Sequence, residues 1–334
     1  MKQRKKVLLV AHNLDDFVGQ DLEILKKHYD VRIVADHKDR MKSTLKMIRG
    51  VKWCDLCYIW FAANYAAMAT SLCKVFQKKS IVIAGGYDVV HMPEIGYGLL
   101  CDKKTAIYPK TAIKYADKIL TFSDASKKDT LKNFKIKDKN KVETMYLYID
   151  PKKYPAPKKP KLKIVLTIGE IRDSTIKRKG HETFVKAAAY LPDYQFILIG
   201  KHVDDTINIL KKIAPPNVAF PGFVSLNEMM QTMQNAKVYC QVSAHEGFGF
   251  SLAEAMLCEC IPICTRRGSL PEVGGPSAYF VPNADPKKTA DAIKKALNDE
   301  SGRGKKARKH IVKNYPRSRR EKLIVEHINK LLKN

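Results

Sequence analysis

The stretch from Val242 to Glu272, VSAHEGFGFSLAEAMLCECIPICTRRGSLPE, constrains the fold of this chain more than any other. It opens at the end of a short apolar run, Lys237 to Ser243, which has the length and composition of a buried strand. A glycine-punctuated turn follows, Glu246-Gly247-Phe248-Gly249, and then a helical pattern from about Ser251 to Glu259. A second strand, Ile261 to Thr265, comes directly after. Strand, glycine turn, helix and strand form the unit that aims backbone N–H groups at an anion, usually a phosphate, from a helix N-terminus. In an open α/β sheet such a turn lies at the carboxyl ends of the strands, where ligands bind. Two carboxylates frame it, Glu246 before the turn and Glu254 one turn into the helix.

The rest of the chain supplies the sheets that such a unit needs. In the first half, strands are read at Lys6–Ala11, Val31–Ala35, Leu56–Phe61, Ser80–Ala84, Lys118–Phe122 and Lys141–Tyr146, with helices at Val18–Tyr29 and Tyr65–Gln77. Strands in the second half are read at Lys163–Ile168, Tyr194–Ile199, Ala219–Phe220, Val238–Val242, Pro262–Thr265 and Ala278–Val281. Its helices are read at His181–Leu191, Asp204–Ile213, Leu226–Gln234, Ser251–Glu259 and Pro286–Asn298. Alternation of β and α at this spacing predicts parallel sheets with helices on both faces. Between the halves, Asp150 to Leu162 packs prolines and lysines together and reads as the linker. At 334 residues the chain exceeds one typical core, so two Rossmann-like domains are expected. The basic tail from Gly304 to Asn334 is helical in pattern and broken at Pro316.

Charge narrows the partners. With 61 Lys+Arg against 34 Asp+Glu, the chain carries +27, a field that attracts polyanions: nucleic acid, an anionic membrane surface or phosphate-bearing substrates. The basic residues are dispersed and mostly lysine, without a basic-aromatic signature, which argues against nucleic acid. A lysine-rich solvated surface accounts for the same charge with no partner at all. The eight cysteines form no framework: Cys54 and Cys57 have CxxC spacing but no second pair nearby, so buried free thiols and a reducing compartment are expected. The first apolar run is too short for a signal peptide. Trp53 to Phe76 is broken by Asp55, Asn64 and Lys74 and is not read as a membrane span.

Glu246, seven intervening residues and Glu254, with EGFGFSLAEAM around them, resemble the E-x7-E signature of retaining, nucleotide-sugar-dependent glycosyltransferases of the GT-B fold. The family most resembled is the glycosyl transferases group 1 family, family 4. The continuation GSLPEV and the later VPNADPKKTADAI fit the same pattern, and Tyr148-Ile149-Asp150-Pro151-Lys152-Lys153-Tyr154 is similar to its interdomain phrase G-V-D-x-x-x-F, with tyrosine where glycine is usual. The resemblance implies two Rossmann-like, doubly wound parallel-sheet domains facing a cleft. It implies an acceptor-side domain over 1–153, a nucleotide-sugar-binding domain over 154–315, and a C-terminal helix over 316–334 that packs back on the first domain. The tail's competing reading is a free amphipathic helix on a membrane surface.

The resemblance also assigns residues. Breaking a sugar–diphosphate bond builds negative charge on the leaving group and oxocarbenium character at the anomeric carbon, so preorganised cations and N–H groups should dominate. Lys179-Gly180 resembles the family's phosphate-contacting lysine and glycine. The arginine that commonly precedes it is matched first by Arg172 and second by Arg178. Gly247, Phe248, Gly249, Phe250 and Ser251 would present donors to the phosphates, Glu254 would accept from the ribose hydroxyls, and Glu246 would face the donor sugar. Ser251-Leu-Ala-Glu254 is also a capping box, which would explain Glu254 without a ligand. Gly19 is placed like the family's glycine in the loop after the first strand. Where many members have histidine, this chain has Gly85-Gly86-Tyr87-Asp88, and Asp88 is the natural polar group there, although a turn set by packing explains the glycines equally. Retention in the family is attributed to front-face attack with the leaving phosphate assisting, so no separate nucleophile is required. No DxD-like pair sits at a strand end, and no obligatory metal or cofactor is expected beyond the nucleotide-sugar donor.

The leading expectation is therefore a retaining hexosyltransferase of carbohydrate biosynthesis, cytoplasmic or peripheral on the cytosolic membrane face. Its acceptor is a glycan, lipid or small molecule. A GT-B nucleotide-sugar epimerase and a non-catalytic polyanion-binding protein are the alternatives.

Overall fold

A computed structural model describes residues 4–14, 16–35 and 40–333. The alternation read from the sequence is realised as two six-stranded, wholly parallel sheets, each in its own compact unit. One unit comprises residues 4–147 together with 317–333, and the other residues 148–316. The chain thus leaves the first unit ahead of the proline- and lysine-rich stretch and returns to it with its last helix.

In the first unit the order is β1 (Lys6–Val10), α1 (Asp16–His28), β2 (Asp30–Val34), α2 (Arg40–Trp53), β3 (Leu56–Trp60), α3 (Asn64–Val75), β4 (Lys79–Ala84), α4 (Ile107–Tyr115), β5 (Lys118–Thr121), α5 (Asp124–Phe134) and β6 (Val142–Thr144). The sheet runs β2-β1-β3-β4-β5-β6, so strand order reverses between β1 and β3. Every residue of β3 and β5 is buried, as expected for strands covered by helices on both faces.

The second unit continues with β7 (Leu162–Ile168), α6 (Asp173–Lys179), α7 (His181–Ala188), β8 (Gln195–Ile199), α8 (Thr206–Ile213), β9 (Val218–Gly222), α9 (Leu226–Asn235), β10 (Ala236–Gln241), α10 (Phe250–Leu257), β11 (Ile261–Thr265), α11 (Leu270–Gly274), β12 (Tyr279–Val281), α12 (Pro286–Leu297) and α13 (Arg303–Asn314). Its sheet order is β12-β11-β10-β7-β8-β9, the doubly wound pattern of a dinucleotide-binding fold. The reversal falls between β7 and β10, which pair Val165 with Val238 and Leu166 with Tyr239. Ligands of such sheets bind outside the carboxyl ends of the two strands flanking that point.

The last helix, α14 (Arg317–Lys333), belongs to the first unit. Arg320, 2% exposed, donates from Nε to Asp21 Oδ1 at 2.6 Å and from Nη2 to Asp21 Oδ2 at 2.8 Å. Its Nη1 reaches the carbonyls of Met145 and Tyr146 at 3.1 and 2.9 Å, and the Tyr58 hydroxyl donates to Asp21 Oδ2 at 2.8 Å. A buried ion pair is tolerable when hydrogen bonds engage its remaining groups, as here.

Sequence periodicity assigned no helix to 40–53, 107–115 or 124–134, and the structure places α2, α4 and α5 there. The buried residues of α5 are Ser126 and Thr130, small polar side chains at i and i+4 that leave no apolar stripe. No helix among the described residues is long and apolar enough to cross a membrane. All eight cysteines are free thiols.

Candidate functional site

At the reversal point of the second sheet, the loops after β7 and β10 meet the end of α6 and the start of α10. The run Lys177-Arg178-Lys179, open to reading as a solvated turn, is the last turn of α6. Gly180 closes that helix at φ +69, and a Cβ there would come within 2.3 Å of the Val242 carbonyl. Only glycine lets the helix end pack so tightly on the strand end. The Ala244 amide donates to the Arg178 carbonyl at 2.7 Å, stapling α6 to the loop after β10.

This packing delivers two cations to one carboxylate. Glu246, 9% exposed, has Oε1 bonded by Lys179 Nζ at 2.8 Å, Ser243 Oγ at 2.9 Å and Arg178 Nη1 at 3.4 Å. Burial raises the affinity of this carboxyl for a proton, but Lys179 and Arg178 outweigh it and hold the pKa at about 2. Glu246 is therefore ionised at neutral pH, and two cations against one anion leave net positive charge beside α10. The backbone is fixed as well. The Ser269 amide and hydroxyl donate to the Glu246 carbonyl at 3.0 and 3.1 Å, and Gly268, at φ +53, lies where a Cβ would meet that carbonyl at 2.3 Å.

The helix α10 starts differently from the capping box in the sequence. Its N-cap is Gly249 at φ +87, with no side-chain cap, so Ser251 falls inside the first turn. The Glu254 carboxylate instead accepts from the Tyr154 hydroxyl at 2.7 Å. Arg308 donates to the Tyr154 carbonyl at 2.7 Å and holds that tyrosine in place. Phe248, 3% exposed, packs between Phe250 and Tyr315 with ring centroids 5.2 and 5.3 Å away. Its ring anchors the glycine turn, which leaves the Phe248 backbone as the part that can serve a ligand.

The residues named from the sequence do not all converge. Arg178 lies on Glu246, whereas Arg172 is the N-cap of α6 and pairs with Glu170 at 2.6 Å, its side chain 39% exposed. Gly19 sits within α1 rather than in the loop ahead of it, because the helix already begins at Asp16. Asp15 of that loop lies outside the described residues. Asp88 is buried in the first unit, where Oδ2 accepts from the Ala62 amide at 2.9 Å and Oδ1 from the Gly86 and Gly85 amides at 2.9 and 3.3 Å. Burial raises its pKa against the pull of these amides. Gly85, at φ +151, lies where a Cβ would meet the Phe122 amide at 2.9 Å, so packing does require that glycine.

Sequence reasoning passed over Ser243, Tyr154 and His181. His181 is the first residue of α7, 1% exposed, and neither ring nitrogen has a hydrogen-bond partner. Burial, then Lys179 and Arg178, depress its pKa to about 3, so the imidazole is neutral. Its place directly after Lys179-Gly180 was the available signal. Among the described residues, no group of three or more His, Cys, Asp or Glu side chains comes together to hold a metal.

Two such parallel sheets, one carrying a cation-lined rim and a glycine-capped helix at its reversal point, define the GT-B class of α/β protein. The fold of the whole described chain agrees. Anabaena HepE in complex with UDP and glucose superposes with TM-score 0.78 at 15% identity, covering 98% of this chain and 100% of that one. Sucrose-phosphate synthase from Thermosynechococcus elongatus gives TM-score 0.78 at 16% identity, covering 98% and 99%. By sequence, residues 150–318 match the family described as Glycosyl transferases group 1, and the chain belongs to that family. A Campylobacter jejuni relative, N-acetylgalactosamine-N,N'-diacetylbacillosaminyl-diphospho-undecaprenol 4-alpha-N-acetylgalactosaminyltransferase, is 29% identical over 171 residues, 49% of this chain and 44% of its own length. The serotype-specific mannosyltransferase WbdA of Escherichia coli is 29% identical over 136 residues, 37% of this chain and 17% of its own. The matches thus span less than half the length of these curated relatives.

Proposed function

We propose that this chain is a retaining glycosyltransferase that moves a hexosyl group from a nucleotide-diphosphate sugar to an acceptor. The second unit binds the donor and the first unit the acceptor. The observation that carries this reading is the Lys179–Glu246–Arg178 cluster at the sheet's reversal point, beside the first turn of α10.

As the bond from the anomeric carbon to the diphosphate oxygen breaks, its electron pair stays on the phosphate. Lys179, Arg178 and the N–H groups of Gly249, Phe250 and Ser251 stabilise that charge, fixed before the reaction begins. Glu246 stays a carboxylate throughout and orients the donor sugar while offsetting positive charge at its anomeric carbon. Glu254, oriented by Tyr154, accepts from the ribose hydroxyls. The acceptor oxygen attacks the same face that the leaving group vacates, and its proton passes to the leaving phosphate. Arg172 serves the rim through Glu170. Asp88 holds the turns after β3 and β4 together, which shapes the acceptor side without taking a proton.

The Anabaena structures contain UDP with glucose and UDP-glucose, so a uridine nucleotide is the first donor to test. The lipid-linked substrate in the Campylobacter enzyme's name, together with the +27 charge, supports an acceptor at an anionic membrane surface. A thermal-shift screen of nucleotide diphosphates and nucleotide sugars tests the reading: a true donor at 100 times its Kd adds about 2.7 kcal/mol of stability. Silence across uridine, guanosine, adenosine and thymidine derivatives would sink it.

A further inference from the structure

Beneath the cation-lined rim, Tyr239 stands in β10 between Leu166 of β7 and Pro262 of β11. It is completely buried, and its hydroxyl makes no hydrogen bond of good geometry. The Ser251 side chain in the first turn of α10 and the Ile168 backbone at the end of β7 lie within hydrogen-bonding reach of that hydroxyl, and the Glu254 and Glu246 carboxylates are near enough to act on its charge. Burial first, and the two carboxylates next, raise its pKa well above the ordinary value, so the hydroxyl keeps its proton and can act as a donor.

A buried phenol normally finds a well-placed partner, and one without it is a cost to the folded state. Phenylalanine would fill the same space without that cost, as Phe184 and Phe196 do elsewhere in this core. The possible acceptors are unequal. Glu246 Oε1 already receives Lys179, Ser243 and Arg178, and Glu254 Oε1 receives Tyr154. A serine hydroxyl, by contrast, can accept one hydrogen bond while donating another.

We propose that Tyr239 is a positioning residue of the donor site. When a nucleotide diphosphate settles on the first turn of α10, the Ser251 hydroxyl donates to a phosphate oxygen and accepts from the Tyr239 hydroxyl below. The Tyr239–Ser251 contact, not well aligned as a hydrogen bond in the free protein, becomes one in the complex, and it fixes the Ser251 rotamer through which the phosphate is gripped. This rests on the donor-site reading given above.

The test compares wild type, Tyr239→Phe, Ser251→Ala and the double variant by melting temperature without ligand and by calorimetric titration with UDP and GDP. Tyr239→Phe should melt at or above the wild-type temperature yet bind the preferred nucleotide about three- to tenfold more weakly, the worth of one hydrogen bond. The double variant should bind no more weakly than Ser251→Ala alone, because the tyrosine acts through the serine. Wild-type affinity in Tyr239→Phe, losses that multiply independently, or a lowered melting temperature would each overturn the inference. Wild type that binds neither nucleotide would instead overturn the donor-site reading, and Tyr239's role with it.

Discussion

Glu246 in the second unit and Asp88 in the first are both buried carboxyls at the carboxyl ends of parallel strands, and they are held in opposite ways. Lys179, Ser243 and Arg178 surround Glu246 with charge and hydroxyl, and its pKa falls to about 2 despite burial. Three backbone amides surround Asp88, burial wins, and its pKa rises. The neighbourhoods differ to match. Around the first unit's strand ends, Phe17, Trp60, Phe61 and Phe122 cluster with ring centroids 5.3 to 6.1 Å apart. The comparison teaches that burial alone does not mark a reacting carboxylate. A cationic nest keeps one ionised, whereas an amide nest uses one as a loop staple.

The largest effect expected is on acid stability. His181 is neutral in the folded state with its pKa depressed to about 3, and Glu246 is ionised with its own at about 2. A base with a lowered folded pKa stabilises above its unfolded value near 6.5, and that stability is lost as pH falls toward 3. The depressed carboxyl stabilises above about 4.5, and that stability is lost as pH falls toward 2. Each is worth on the order of 3–5 kcal/mol. Chemical denaturation from pH 7 to 3 should therefore show stability already falling below pH 6.5, and His181→Phe should remove that first stage. Asp88 works with the opposite sign: its raised pKa favours the folded state at low pH, and that contribution is lost as pH rises through the folded value. Asp88→Asn should therefore steepen the loss of stability on acidification, whereas Glu246→Gln should make it shallower.

Next in size is Lys179→Ala, which should lower kcat/KM by about 10² to 10³, the usual worth of one preorganised charge-stabilising donor. Arg172→Ala should cost far less, and equal losses from the two would erase the distinction between the rim's centre and its edge. Asp88→Asn sharpens the contrast further. It should cost about 1–3 kcal/mol of stability through its amide partners, with kcat changed less than by Lys179→Ala. A kcat loss matching that of Lys179→Ala would return Asp88 to the reacting groups. The smallest effect belongs to Tyr154→Phe, which should weaken nucleoside binding by about threefold to tenfold through loss of one hydrogen bond to Glu254.

Much of this was legible in the sequence, and the exceptions have physical causes. Strands buried on both faces appear as unbroken apolar runs, so β3, β4, β10 and β11 were plain. Helices that bury little apolar surface were not, as Ser126 and Thr130 in α5 show. At the site, Glu246, the Gly247–Gly249 turn and Glu254 are contiguous enough in sequence to be read as a pattern, whereas Lys179 was reached through the family resemblance of Lys179-Gly180. What escaped depends on long-range packing. Tyr154 reaches Glu254 from the far end of the unit's sequence. Arg178, ranked second to Arg172 in the sequence, is the arginine that reaches Glu246, because Gly180 lets α6 end against Val242. The capping box failed because Gly249 set the helix start by its backbone conformation.

The central claim is that a nucleotide diphosphate is gripped where the second sheet reverses. Hydrogen exchange of the full chain with and without saturating UDP, or whichever nucleotide the screen selects, tests it most directly. The account predicts slowed exchange in peptides covering 246–252 and 169–180, with little change along β1, β3 and β4. Protection confined to the first unit, or none in the loop after β10 despite saturated binding, would contradict it.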